Sequence, residues 1–198
     1  GTTRAGSHVT HLDRDRPLVD AAQRDPLQFD ALYRRYLAQV YSFAFYELGN
    51  HHDAEDVTAR VFLQALAALP RFEERARPAD GEGASTFRVW LFQIARNAVA
   101  TQRRTLRRRP QAPLEAAEFV VDASDPSADL SRRESARSAV EALRRLPADR
   151  RRALVLRFVD EMSTSEIAGV LGRSEGAVRV LIHRALRSMA ADLRRPGR

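Results

Sequence analysis

The stretch Ser163-Thr164-Ser165-Glu166-Ile167-Ala168-Gly169-Val170-Leu171-Gly172-Arg173-Ser174-Glu175-Gly176-Ala177-Val178-Arg179-Val180-Leu181-Ile182-His183-Arg184 decides the fold. Ser163 and Glu166 stand at capping-box spacing, where a hydroxyl and a carboxylate each satisfy a free N–H at a helix start. Gly172 permits the left-handed backbone of a tight turn, and Ser174 opens a second helix. Ile167, Ala168, Leu171, Val178 and Ile182 fall where two short helices share a small core, and Ala168 lets them approach closely. The pattern predicts a helix-turn-helix. The second helix of that motif commonly enters a DNA major groove. The plain alternative is a helical hairpin inside a bundle.

Working outward, apolar periodicity is helical nearly everywhere, and no stretch alternates as a strand does. Ala139, Val140, Leu143 and Leu146 mark a helix stopped by Pro147. Residues 150–159 form the next, with Leu154, Val155 and Phe158 expected inward. Upstream, Pro26 starts a long helix carrying Phe29, Leu32, Tyr33, Tyr36, Val40, Phe43 and Ala44, which ends at Gly49-Asn50. Asp53 is read as opening another, with Ala54, Val57, Val61, Phe62, Ala65, Leu66 and Leu69 on one face and Pro70 at its end. Asp53, Glu55 and Asp56 sit in its first turn, where carboxylates suit the helix dipole. A charged loop spans 71–84. Ser85 or Thr86 then caps a third long helix with Phe87, Trp90, Leu91, Ile94, Ala95 and Ala98 inward. From Arg96 to Arg109 it carries six Arg and no acid. From Pro110 to Ser131 there are three prolines, five carboxylates and no basic residue. We read a flexible acidic linker between two small all-α domains. The organisation expected is a disordered tail at 1–16, a first domain at 17–109, the linker at 110–131 and a helix-turn-helix domain at 132–198.

The chain has 198 residues and a net charge of +7, and all 33 basic residues are Arg. Such an excess favours polyanionic partners. Cysteine is absent, which removes disulfides, Cys-ligated zinc and Cys nucleophiles. No apolar run approaches the roughly 20 residues that span a bilayer, and no apolar core of a signal peptide opens the chain. His51-His52 beside Asp53 and Glu55 match no metal-ligand spacing. No phosphate loop, nucleophile elbow or acid/base pair is evident, so neither catalysis nor a cofactor is expected of the chain.

Asp53-Ala54-Glu55-Asp56-Val57 with Phe62-Leu63, then residues 87–97, resemble conserved region 2 of bacterial RNA polymerase sigma factors. Leu146-Pro147, residues 154–158, Ser165-Glu166-Ile167-Ala168, residues 174–179 and His183-Arg184-Ala185 resemble region 4. Together they resemble the extracytoplasmic-function (ECF) group of the sigma-70 family, over about 17–109 and 132–195. The resemblance implies a cytoplasmic promoter-recognition subunit, not an enzyme. It implies that Asp53, Glu55, Asp56 and Phe62 dock on the β′ clamp helices of core RNA polymerase, whose β flap is a further partner. It implies that the 71–84 loop and Arg88, Trp90, Arg96 and Asn97 read and melt a −10 element, joined by the basic run with Arg103 and Arg104. Arg173, Ser174, Glu175, Ala177, Arg179, Val180, His183 and Arg184 then read a −35 element. At Val180, where relatives often carry Ser, an apolar contact such as one to a thymine methyl replaces a polar one. The linker resembles the segment that threads the polymerase cleft, with carboxylates in place of phosphates. An anti-sigma factor is the further partner implied. Trp90 and Phe87 lie on the apolar face, which favours core packing over base stacking.

Overall fold

Eight α-helices make up the described part of the computed structural model, which covers residues 11–75, 86–108 and 130–194. They are α1 (His11–Arg24), α2 (Phe29–Leu48), α3 (His51–Ala68), α4 (Phe87–Arg108), α5 (Leu130–Arg145), α6 (Ala148–Phe158), α7 (Thr164–Leu171) and α8 (Glu175–Leu193). No strand occurs among the described residues, so the fold is all-α. The expected linker up to residue 129, the loop from 76 to 84, the alternative cap Ser85, Arg109 and the first ten residues lie outside them.

Local chemistry sets the helix ends. Gly49 closes α2 at φ 83°, the left-handed conformation that glycine takes without strain. Asn50 caps α3, and its side chain accepts from the Asp53 N–H at 2.7 Å. The helix therefore opens at His51, two residues before the start expected from Asp53. Ser163 and Glu166 complete the capping box on α7. Gly172 closes α7 at φ 63°, and Ser174 caps α8.

In the first half, α2, α3 and α4 enclose Leu32, Tyr36, Val40, Phe43, Val57, Val61, Phe87, Leu91 and Phe92. Phe43 meets Phe92 edge-on at 5.7 Å, an arrangement ring quadrupoles favour. Helix α1 begins inside the stretch read as tail. It buries Val19 and Ala22, and Asp15 is held in the core by the Tyr36 hydroxyl. Pro17 inside the helix hid it, because proline ordinarily breaks helices. In the second half, α6, α7 and α8 surround Leu154, Val155, Leu156, Ile167, Val170 and Val178. Phe158, expected inward, is 61% exposed at the end of α6, and Leu156 fills the core instead.

The halves are packed together. Buried apolar residues of both join one continuous core, and α7 lies along α4 while α6 meets α2.

Candidate nucleic-acid interface

Helix α8 carries one of two surfaces the sequence singled out. Val178 and Ala185 anchor it inward, so Arg179, Val180, His183 and Arg184 fall on its exposed side. Arg187 shares that side and was not among the residues read as contacts. Arg179 makes an exposed ion pair with Glu175 at 3.1 Å, and Arg173 binds Asp149 at 2.6 Å. Exposed pairs of this kind contribute at most about 1 kcal/mol, so a phosphate can replace the carboxylate. Ser174 is occupied as the cap, accepting from the Ala177 N–H. Ala177 is half-buried, at the foot of the helix.

On α4 the residues diverge. Asn97 and Arg104 are exposed on its outer side. Trp90 is half-buried among Phe72, at 4.9 Å between ring centres, and Phe87, at 5.6 Å, which is the core role its position favours. Arg88 is 2% exposed. Its guanidinium donates to both oxygens of Glu166 on α7, at 2.8 and 2.6 Å. It also donates to the carbonyl of Asp160 at 3.3 Å. Arg96 donates to the carbonyl of Val170 at 2.8 Å, and Gln93 to that of Gly169 at 2.8 Å. Arg103 turns to the carbonyl of Glu47 at 2.6 Å. Arg88, Arg96 and Arg103 therefore face protein here rather than an open groove.

A second ion-pair group closes the other end of the same contact. Glu47 of α2, 3% exposed, accepts from Arg151 at 2.9 Å and Arg152 at 3.0 Å, both on α6. Arg144 of α5 donates to the carbonyl of Gly49 at 3.1 Å. The two groups are reciprocal: the first half supplies the acid at one end and the arginine at the other. Burial lowers the Arg103 pKa, Glu47 opposes this, and Arg151, Arg152 and Arg107 add to it. Beside Arg88, the Asp160 carboxylate is buried and neither oxygen has a hydrogen-bond partner. Burial pushes its pKa up to about 8, against the pull of Arg88.

The residues expected to meet polymerase also divide. Glu55 and Asp56 are exposed on α3. Asp53 is half-buried, bound to the side chain of Asn50 and to Gln102 Nε2 at 2.7 Å, so it organises the helix start. Phe62 is 5% exposed and packs edge-on against Tyr33 at 4.8 Å. Leu63, 68% exposed on the same helix, is the apolar residue that the surface offers in its place. Its sequence signal was a leucine outside the buried stripe. Among the described residues, no three His, Asp or Glu side chains gather as metal ligands.

Residues 32–109 match the family model of Sigma-70 region 2, and residues 136–189 match that of Sigma-70, region 4. The chain is 34% identical to the ECF RNA polymerase sigma factor BldN of Streptomyces coelicolor, over 87% of its own length and 63% of the relative's. The chain belongs to the ECF group of the sigma-70 family. It is 30% identical to the RNA polymerase sigma-H factor of Pseudomonas aeruginosa, over 87% of this chain and 90% of that one. Among solved structures it is similar to CnrH in complex with the cytosolic domain of CnrY, with a TM-score of 0.66 and 27% identity over 91% of this chain and 97% of that one. The region 2 match covers most of α2 and all of α3 and α4, and the region 4 match covers α6, α7 and α8 up to residue 189. The chain spans less than two thirds of the length of BldN, a longer protein.

Proposed function

We propose that this ECF sigma factor binds core RNA polymerase reversibly, brings it to promoters carrying −10 and −35 elements, and leaves again after initiation. The exposed side of α3, with Glu55, Asp56 and Leu63, docks on the β′ clamp helices, and region 4 meets the β flap. Helix α8 reads the −35 duplex with Arg179, Val180, His183 and Arg184. Helix α4, through Arg88, Arg96, Asn97, Arg103 and Arg104, engages the −10 strand once its inner face is free. The chemistry of RNA synthesis belongs to the polymerase. A bacterial cytoplasmic location follows from that partnership.

The observation that carries this reading is the exposed polar and basic side of α8, set on a helix-turn-helix in a chain that also holds region 2. A free-standing regulator would bind an operator without that first half. An anti-sigma factor is the expected inhibitor, in keeping with the cytosolic domain bound to the similar CnrH. Run-off transcription on genomic DNA, using core polymerase with and without the chain, tests the reading. New start sites sharing upstream elements are expected. Operator binding with no new transcripts would favour the regulator instead.

A further inference from the structure

Arg103 and Arg107 stand four residues apart on α4, so their side chains share one face and repel each other. Arg151 and Arg152 of α6 reach the same place, because all but Arg107 lie within ion-pair reach of Glu47 on α2. Glu47 meets Arg151 at 2.9 Å, Arg152 at 3.0 Å and Arg103 at 3.9 Å. Arg152 also lies 3.9 Å from Asp149, but Asp149 is already bound to Arg173 at 2.6 Å. Arg107 is exposed and makes no ion pair among the described residues. Four guanidiniums around one buried carboxylate leave positive charge in excess. Arg103 registers it: burial lowers its pKa, Glu47 opposes this, and the other three arginines add to the lowering. A second observation does not depend on charge. Arg151 is 5% exposed, and its Nε and Nη1 serve Glu47 and the carbonyl of Leu146, yet its buried Nη2 has no partner. A buried donor without an acceptor is costly and rare.

We propose that this cluster is a binding site for a small diphosphate-bearing anion, either inorganic diphosphate or the diphosphate end of a nucleotide, taken up by Arg103 and Arg107 at the surface with Arg152 and Arg151 behind them. Guanidinium forks match phosphate oxygens in geometry as well as charge. Arg103 keeps 29% of its side chain in solvent and Arg107 is exposed, so the entrance lies on the α4 side. Arg152 keeps 13% and Arg151 6%, which places the remaining donors deeper. Two linked phosphates can meet the outer and inner donors together, and they bring more charge than one. A nucleic-acid strand needs an open track, whereas these inner donors are enclosed by α2 and α6. The site draws on three helices, so an anion bound there also stabilises the folded chain. Arg103 alone of the four is among the donors proposed for the −10 strand.

Calorimetric titration of the full chain with inorganic diphosphate, at fixed ionic strength, tests the site. One anion per chain is expected, with orthophosphate about tenfold weaker or more. Arg107→Ala is the informative variant, because the exposed side chain holds no ion pair of the fold. It should weaken diphosphate about tenfold, as the loss of a charge-assisted hydrogen bond does. Arg108→Ala removes the same charge from the same helix, about 140° round from Arg103. It should stay within about twofold of wild type, as a solvated charge does. Diphosphate should raise the Tm of wild type and of Arg108→Ala, and raise that of Arg107→Ala much less. Adenosine and guanosine diphosphates are titrated in parallel. Binding as tight as diphosphate assigns the site to nucleotides, and weaker binding assigns it to the inorganic anion; both support it. Equal weakening by Arg107→Ala and Arg108→Ala would show only diffuse attraction to a basic surface and overturn the site. So would orthophosphate binding as tightly as diphosphate, or diphosphate giving neither heat nor a shift in Tm.

Discussion

On α8, Arg179 keeps 66% of its side chain in solvent and, among the described residues, is held by Glu175, one turn back on the same helix. On α4, Arg88 keeps 3% and is held by Glu166, which lies 78 positions away across the expected linker. Both are arginines on helices proposed above to meet DNA. The first pair trades water for carboxylate at little gain and is easily exchanged for phosphate. The second has already been stripped of water, so separating it without rehydration is costly. A reading surface is therefore defined by what already occupies its donors as much as by which donors it carries.

The largest break in this comparison is Arg88→Ala. It leaves Glu166 buried and unpaired, which costs about 3–5 kcal/mol in a closed chain. The halves avoid that cost by separating, so small-angle scattering should show a larger radius of gyration and urea melting an earlier transition. Arg184→Ala on the exposed side of α8 should shift stability by no more than about 0.5 kcal/mol. Equal effects of the two substitutions would remove the contrast.

Next comes Asp160, which sits behind Arg88 with its carboxylate unpartnered. Its pKa is about 8 when folded, against an ordinary value of 3.8. Between these values the folded chain holds a proton that the unfolded chain has lost. Stability is therefore fully present below pH 4, falls as pH rises to 8 and is flat beyond. Asp160→Asn should lose this slope, and thermal melts at pH 5 and pH 8 would reveal it. Parallel pH profiles of variant and wild type would contradict the burial argument.

How far the sequence carried this picture depends on the range of each signal. The helix-turn-helix was fully legible, because its capping box, its glycine and its second cap all lie within a dozen residues. Gly49 was legible as a stop for the same reason. Helix α1 was not, since Pro17 argued locally against a helix that Asp15, Val19 and Ala22 secure through long-range burial. Phe158 was misplaced because Leu156 and Phe158 compete for one small core, and periodicity over eleven residues does not rank them. Arg88 and Arg96 were visible as donors, but one sequence does not say whether a donor meets phosphate or a distant protein acceptor. The residues expected to dock on polymerase divided for a related reason: Asp53 and Phe62 satisfy their own helix and core, leaving Glu55, Asp56 and Leu63 outside.

The exposed side can be sharpened in turn. Arg179 and Arg184 lie about 140° apart around α8 at 3.6 residues per turn, so they cannot both point at one base. Arg179, nearer the helix N-terminus, is assigned a base and Arg184 a phosphate. Arg179→Ala should cost about 1–3 kcal/mol and relax preference at one position. Arg184→Ala should weaken all sites alike and lower the salt slope by about 1. Binding-site selection at two salt concentrations separates these outcomes, and the reverse pattern exchanges the roles.

The smallest effect lies in the turn that carries Asp160. Glu161 has φ 51°, the left-handed region that disfavours a side chain. Glu161→Gly relieves that strain against a similar loss of unfolded-chain restriction, for a net change within about 1 kcal/mol. Calorimetry should show a small rise or no change in Tm. A large fall would mean that the Glu161 side chain itself holds the turn.

The contrast between a covered α4 and an open α8 is tested most directly by distance. Arg34→Cys on α2 and Ala190→Cys on α8 place donor and acceptor dyes at exposed positions in the two halves of a chain otherwise free of cysteine. The account expects efficient energy transfer from a single closed population in the free chain, and a fall in that transfer when core polymerase is added. Weak transfer in the free chain, or strong transfer that polymerase leaves unchanged, would contradict it.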